Sequence, residues 1–229
     1  MGERSEMNAV FLQVRLNSSR LPGKALMLLE KIPLVEWCMR RLKAADAQEF
    51  VLLTCERDAE QLRPSALRCG FTLFTGSEDD VLNRFASAAL YFKPDLILRA
   101  TGDNPFVSPF LANETIRLAA SARADYAVLK NIPVGSSVEA VAAEALLKAA
   151  VRAEDAYEHE HVTPYLYRHP EIFRVVSGEA PSGYRSPLSV TVDTEDDFRR
   201  VSAWAANRTP ETFSLLELVK SNSAADGEE

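Results

Sequence analysis

A chain of 229 residues, 47% hydrophobic and 26% charged, has the make-up of a globular protein and sets the expectation of one domain. The formal net charge of −7 and the pI near 5.2 exclude a broad basic face for nucleic acid, while leaving room for a locally basic pocket that holds a small anion. No apolar run reaches membrane-spanning length and the first residues do not read as a secretory signal. The cysteines Cys38, Cys55 and Cys69 form no C-x-x-C pair or closed disulfide set, so a cytoplasmic protein with reduced thiols is expected.

Residues 1–7 read as a flexible, polar N-terminus. Asn8 to Val14 is an apolar run that predicts a buried strand. Leu34 to Ala45 predicts a helix, with Leu34, Val35, Cys38, Met39 and Leu42 on one face and Arg40, Arg41 and Lys43 on the other. Phe50 to Thr54 predicts a strand, Ala59 to Arg68 a helix broken or restarted at Pro64, and Phe71 to Phe74 another strand. Ser77 is the expected N-cap of a helix running to Phe92. Asp95 to Ala100 follows as a strand, Ser108 or Pro109 opens a helix to Ala120, and Tyr126 to Leu129 is a strand. Strands alternating with helices predict an α/β fold, with a mostly parallel sheet covered on both faces.

The second part is less regular. Val138 to Val141 reads as extended, Ala142 to Ala153 as helix, and Tyr157 to Tyr167 as a helix interrupted near Pro164. Ile172 to Val176 and Leu188 to Val192 predict strands, and Glu195 to Ala206 and Glu211 to Ser221 predict helices. The small acidic tail over residues 222–229 predicts disorder. Trp37 falls at core spacing and reads as packing.

Four constellations can carry chemistry. The first is Gln13 to Lys24, where a strand opens into a loop holding Arg15, Arg20 and Lys24. Backbone N–H groups and fixed cations in such a loop meet phosphate without reorganisation. Arg15 and Lys24 can grip the β- and γ-phosphates of a nucleotide with Arg20 in support, and Asn17, Ser18 and Ser19 offer amides and hydroxyls. The alternative is a solvated surface loop closed by a Pro-Gly turn. This is not the G-x-x-x-x-G-K-[ST] pattern.

The second constellation is Thr101-Gly102-Asp103 at the carboxyl end of a strand, where open α/β sheets bind ligands. A carboxylate there suits Mg²⁺; an Asx turn before Pro105 is the alternative. The third is Asp193, again at a predicted strand end, which either caps the following helix or joins Asp103 in a two-carboxylate metal site. The fourth is Glu158 to Tyr165. His159 and His161 are spaced i, i+2 and point apart on a helix, which argues against zinc.

Taken in order, five segments resemble the cytidylyltransferase family of the spore coat polysaccharide biosynthesis protein F type, related to CMP-ketodeoxyoctonate and CMP-acylneuraminate synthetases. They are Gln-x-Arg-x-x-Ser-Ser-Arg-Leu-Pro-Gly-Lys from Gln13, Gly76-Ser77-Glu78-Asp79-Asp80-Val81-Leu82, Thr101-Gly102-Asp103, Glu160-His161-Val162-Thr163-Pro164-Tyr165 and Thr191-Val192-Asp193-Thr194.

The resemblance spans Asn8 to Val201. It implies a three-layer glycosyltransferase-A-like (nucleotide-diphospho-sugar transferase) fold, with one nucleotidyltransferase domain over 8–221 and an excursion around 132–167. It also implies transfer of CMP from CTP to a sugar hydroxyl with Mg²⁺ and release of pyrophosphate, for surface polysaccharide or flagellar glycan synthesis, and a homodimer built by the excursion.

By the resemblance Arg15, Lys24 and Asp103 are catalytic, and Gln13, Asn17, Ser18, Ser19, Arg20, Ser77 and Thr101 join Arg15 and Lys24 around the nucleotide, Gln13 and Ser77 near its base. Glu139, His161 and Tyr165 fall to the sugar, and Asp103 and Asp193 to the metal. The chain departs from the family pattern at Asn17, where Gly is usual and Asn can still take a left-handed backbone, at Thr75 for Arg, and at Asn83 for Asp. Val134-Gly135-Ser136-Ser137 stands for Asp-Gly-Leu-Asp. The missing carboxylates keep open a nucleotide-binding module without turnover. A glycosyltransferase taking a finished nucleotide-sugar would call for an Asp-x-Asp motif, and none follows the central strand.

Overall fold

The computed structural model describes residues 7–225. Its organising element is β1 (Asn8–Gln13), whose side chains alternate between two cores. Val10 and Leu12 enter the larger cluster and Ala9 and Phe11 the other, so the strand is buried on both faces. A basic loop and a 3-10 turn (Lys24–Leu26) follow. Then comes a short hairpin, β2 (Leu28–Leu29) and β3 (Ile32–Pro33), that the hydrophobic pattern did not foretell. Next are α1 (Leu34–Leu42), β4 (Glu49–Cys55), α2 (Glu56–Cys69), β5 (Thr72–Gly76), α3 (Val81–Phe92), β6 (Leu96–Thr101), α4 (Pro109–Ala122) and β7 (Tyr126–Lys130). The second part holds β8 (Glu139–Ala142), α5 (Ala143–Arg152), α6 (Ala156–His161), α7 (Pro164–Arg168), β9 (Val175–Glu179), α8 (Glu195–Ala205) and α9 (Leu215–Ala225).

The main sheet has seven strands in the order β5-β4-β1-β6-β8-β7-β9. All lie parallel except β8, which is antiparallel to both β6 and β7. One face is covered by α1, α2, α4, α8 and α9, through residues such as Leu34, Leu62, Leu111, Val201 and Leu218. The other is covered by α3, α5 and α7, through Leu82, Leu146 and Leu166. The expected three-layer α/β architecture is therefore present. No helix among the described residues is long and apolar enough to cross a membrane.

Several expected boundaries shift for identifiable reasons. Pro64 does not break α2, because it lies on the exposed face while Leu62, Ser65 and Ala66 on either side are buried. Asp80, not Ser77, caps α3: its side chain accepts from the Asn83 N–H, and the Ser77 Oγ accepts from the Asp80 N–H one turn earlier. Leu188 to Val192 is not a strand beyond a single bridge at Ser189. Its N–H groups are divided, Val190 donating to Val134 and Val192 to Asp103. Ile172 and Phe173 turn back on His169, so β9 starts only at Val175. Phe213 does the same on Thr209, and α9 starts at Leu215.

The predicted interruption near Pro164 is real. Val162, at φ 73°, separates α6 from α7, and Pro164 opens α7. The expected flexible N-terminus and acidic tail lie outside the described residues, apart from Met7, whose N–H donates to Asp95 Oδ2, and 222–225, which close α9.

Trp37 is packing, as expected: it is buried, edge-on to Phe106 and Phe213, with Nε1 donating to the Leu29 carbonyl. The expected solvent-facing Arg41 is instead buried, and it ties the C-terminal part to α1. Its Nε donates to Val107 O at 2.7 Å, and its Nη1 to Pro210 O at 2.7 Å and Phe213 O at 2.9 Å. Burial lowers its pKa to about 10, still charged at neutral pH. Arg41→Met would leave three buried carbonyls without donors. It is expected to cost about 3 kcal/mol, read as a lower urea midpoint with an unchanged slope.

Candidate functional site

The site lies where open parallel sheets place their ligands, beyond the carboxyl ends of the strands. Gln13, Cys55 and Thr101, the last residues of β1, β4 and β6, open together into a cleft of about 580 Å³. Two chain segments are pinned to each other at its floor: Gly102 N–H donates to Gln13 O at 2.9 Å. A Cβ on Gly102 would come within 2.6 Å of Val14 Cγ2, so this close approach requires glycine.

The first loop is shaped by its own backbone. Ser18 and Gly23 both donate to the Leu16 carbonyl, Leu21 N–H reaches the Ser18 Oγ, and Gly23 takes the left-handed conformation at φ 71°. Asn17 does not take that conformation, although the loop closes all the same. From below, Asp58 Oδ2 accepts the Leu16 N–H at 2.8 Å in a buried bond.

That loop delivers Lys24 into the floor of the cleft. The Lys24 Nζ donates to Asp103 Oδ2 at 3.0 Å, to Asp193 Oδ1 at 2.9 Å and to the Val192 carbonyl at 2.7 Å. All three ammonium hydrogens are thereby used, on a side chain that is only 10% exposed. Asp103 Oδ1 accepts from the Thr101 hydroxyl, and Arg20 reaches Asp193 Oδ2 at 3.0 Å. Arg15, at the cleft mouth, pairs with Glu160 of α6 at 3.3 Å. The structure thus brings together Arg20, Lys24, Thr101, Asp103 and Asp193 from three distant parts of the chain.

Asp193 faces Lys24 because another residue caps α8. Thr194 is the N-cap, in a reciprocal capping box with Asp197. Asp197 Oδ2 also accepts the Asp193 N–H at 3.1 Å, which holds the carboxylate-bearing residue in place. Asp103 and Asp193 converge on one cation position. Among the described residues no group of three or more His, Cys, Asp or Glu is arranged to hold a metal. Two carboxylates suffice for Mg²⁺, which keeps waters and takes phosphate oxygens, so this donor set fits it.

Two charged cleft residues escaped the sequence reading, Arg57 and Arg84. Arg57 bonds Asp58 and Glu78, and it sits just past the end of β4, where the strand-end rule would have found it. Arg84 is almost fully buried on the apolar face of α3, with Nη1 on the Ser77 carbonyl. Burial pushes its guanidinium below the ordinary value. Three buried polar atoms of cleft-lining residues have no partner: Gln13 Oε1, Arg84 Nε and Arg99 Nε. The cleft carries Arg15, Arg20, Lys24, Arg57, Arg84 and Arg99 against Glu78, Asp79, Asp103, Glu160 and Asp193, a net positive pocket in an acidic molecule.

Of the remaining candidates, Asn17, Ser18, Ser19 and His161 line the cleft. Ser77 does not; its hydroxyl serves the turn before α3. Glu139 sits behind Arg99, engaging it together with Tyr126 and Thr163. Tyr165 is turned away, packed on His169 and Phe173. The geometry does not bring these three onto the cleft wall. Glu139 is engaged in an ion pair with Arg99, and Tyr165 is half-buried against the core.

Residues 9–217 match the family described as cytidylyltransferase. The chain is 36% identical over 201 residues to the spore coat polysaccharide biosynthesis protein SpsF of Bacillus subtilis, covering 84% of this chain and 83% of that protein. It is similar to the solved structure of a cytidylyltransferase from Leptospira borgpetersenii, at TM-score 0.85 and 26% identity over 96% of each chain. The structure of CMP:2-keto-3-deoxy-manno-octonic acid synthetase complexed with CTP shares the fold, at TM-score 0.66 and 15% identity over 86% of this chain and 98% of that one.

The cap behind Asp193 gives a testable consequence. Burial alone would raise the Asp197 carboxyl, but Arg200, the Thr194 hydroxyl and the N–H groups of Thr194 and Asp193 outweigh it and hold its pKa at about 2, against 3.8 ordinarily. A depressed folded value stabilises fully above about pH 4 and is lost as the pH falls towards 2. Asp197→Ala is expected to cost about 1–2 kcal/mol at neutral pH. In urea titrations its deficit against the wild type should shrink across that acid window.

Proposed function

This chain belongs to the cytidylyltransferase family, and from that premise we propose that it transfers CMP from CTP to a sugar hydroxyl, releasing pyrophosphate, in surface polysaccharide or flagellar glycan synthesis in the cytoplasm. The observation that carries the proposal is the Lys24 ammonium clasped between Asp103 and Asp193 beneath Arg15 and Arg20. Cations and carboxylates interleaved at one point suit a metal-bound triphosphate. The cations turn to phosphate oxygens, and the carboxylates they leave are free for the metal.

In this reading Arg15, Arg20 and Lys24 bind and orient the phosphates, with Asn17, Ser18 and Ser19 contributing from the same loop. Gln13 Oε1, buried at the cleft without a partner, is an acceptor that the exocyclic amine of cytosine can meet. Asp103 and Asp193 would hold Mg²⁺. Once bound, the ion would supply charge neutralisation at the α-phosphate and a lower pKa for the attacking hydroxyl. The pre-set cations stabilise the negative charge that builds up as the hydroxyl attacks in line and pyrophosphate departs. His161, which lines the same cleft, would meet the sugar. A homodimer through the 132–167 excursion belongs to the same proposal, supported by the exposed apolar side chains Val134, Val151, Tyr157 and Tyr167 on that segment.

The decisive assay follows pyrophosphate release from CTP with Mg²⁺ and a panel of sugars. Chelation of the metal is expected to abolish release. Asp103→Asn is expected to lower kcat about a hundredfold or more. Lys24→Met is expected to weaken CTP binding roughly tenfold or more in calorimetry, as one charge-assisted contact is lost. CTP binding without release for any sugar would favour the non-catalytic module, for which Ser136 and Ser137 are the motivating residues: Ser137 Oγ is spent on Thr115. Absence of any nucleotide binding would sink both readings.

A further inference from the structure

His159, discounted above as a zinc ligand and absent from the cleft lining, nevertheless joins two walls of the cleft. It sits on α6, which packs against α3. Its Nδ1 is 2.9 Å from Asp80 Oδ1, and its Nε2 is 3.0 Å from the Ala153 carbonyl. Both partners are acceptors. A neutral imidazole has one N–H and can satisfy only one of them; the imidazolium has two and satisfies both.

What the ring connects is functional. Asp80 is the N-cap of α3, and Glu78 and Asp79, just before it, line the cleft. On α6, the residues directly after His159 are Glu160, paired with Arg15 of the first loop, and His161, also on the cleft wall. The segment is held under strain: Val162, a buried β-branched residue, sits at φ 73° where α6 ends. We infer that His159 is a positioning residue whose imidazolium straps α6 to the cap of α3, setting the wall that carries Glu160 and His161.

The charged groups around the ring support a cation there. From α3 comes Asp80, while Arg84 is directed to the Ser77 carbonyl. From α6 itself come Glu158, engaged by Arg168 of α7 at 3.2 Å, and Glu160, engaged by Arg15. Asp155, at the N-cap of α6, also faces Arg168, and Arg152 ends α5 just before Ala153. The Asp80 hydrogen bond, then that of Ala153, raises the His159 pKa above the ordinary 6.5, with burial opposing. A raised folded value means the strap is complete below about pH 6.5 and is lost as the pH rises through that higher value.

The effect on ligand affinity rests on the CTP reading; the strap itself does not. The test uses the full chain, labelled with nitrogen-15, and the variants His159→Ala and Asp80→Asn; the second keeps a good N-cap and so preserves α3. In the wild type at pH 6, both ring nitrogens of His159 should carry protons. The amides of His159 and Val162, which donate to Asp155 and Glu158, should be protected from exchange. That protection, corrected for intrinsic exchange, should fall as the ring titrates. In His159→Ala it should be low and independent of pH, and in Asp80→Asn the ring should titrate nearer 6.5. CTP calorimetry should give the wild type about a fivefold advantage over Asp80→Asn at pH 6 that disappears at high pH. A singly protonated ring at pH 6, or equal α6 protection in wild type and His159→Ala, overturns the inference. If no protein binds CTP, the nucleotide reading fails, while the ring and exchange measurements still decide the strap.

Discussion

The site depends on one buried ammonium group. Lys24 has almost no contact with water, and a charge in that position is tolerated only with a full set of partners. It finds them on Asp103, Asp193 and the Val192 carbonyl, so three segments remote in sequence are bound to a single point. The same meeting explains the irregular stretch before α8. That stretch fails to be a strand because its N–H groups are spent in two directions, one of them on Asp103 itself. Local regularity is lost where the chain must bring a carboxylate to Lys24.

Around that point the fold repeats one device, which is to relieve a cleft side chain of structural duty. Thr194 takes over the capping of α8, and Asp197 closes the box, leaving the Asp193 carboxylate for the cations. Asp58 holds the Leu16 N–H from beneath, so the loop keeps its shape without using Arg15, Asn17 or Ser19. Where a side chain is not relieved, it is absorbed: Glu139 into the Arg99, Tyr126 and Thr163 network, Ser77 into a turn. The cleft that results is positive in a molecule of net charge −7 and still contains buried polar atoms without partners. Such a surface is chemically suited to an anion with its own donors and acceptors.

The alternation of apolar runs and amphipathic stretches was sufficient to read a mostly parallel α/β sheet, because a strand buried on both faces must be apolar throughout and a covering helix must be apolar on one side. It could not show the β2–β3 hairpin, two residues to a strand, nor that Pro64 would be carried inside α2 by the burial around it. The basic loop, Asp103 and Asp193 were legible as candidates, since cations near a strand end and carboxylates at strand ends have few purely structural uses in common.

What the sequence determined by itself was therefore the layered fold and the cytidylyltransferase family, together with a set of candidate side chains for the site. Tertiary structure alone decided which side chains are available to a ligand. Availability depends on partners far along the chain: Arg99 for Glu139, Phe173 for Tyr165, Thr194 in relief of Asp193, and β4 and α3 for the unforeseen Arg57 and Arg84. A sequence specifies which groups exist, but a hydrogen bond or a packed face can be used only once, and only the folded arrangement shows where each has been used.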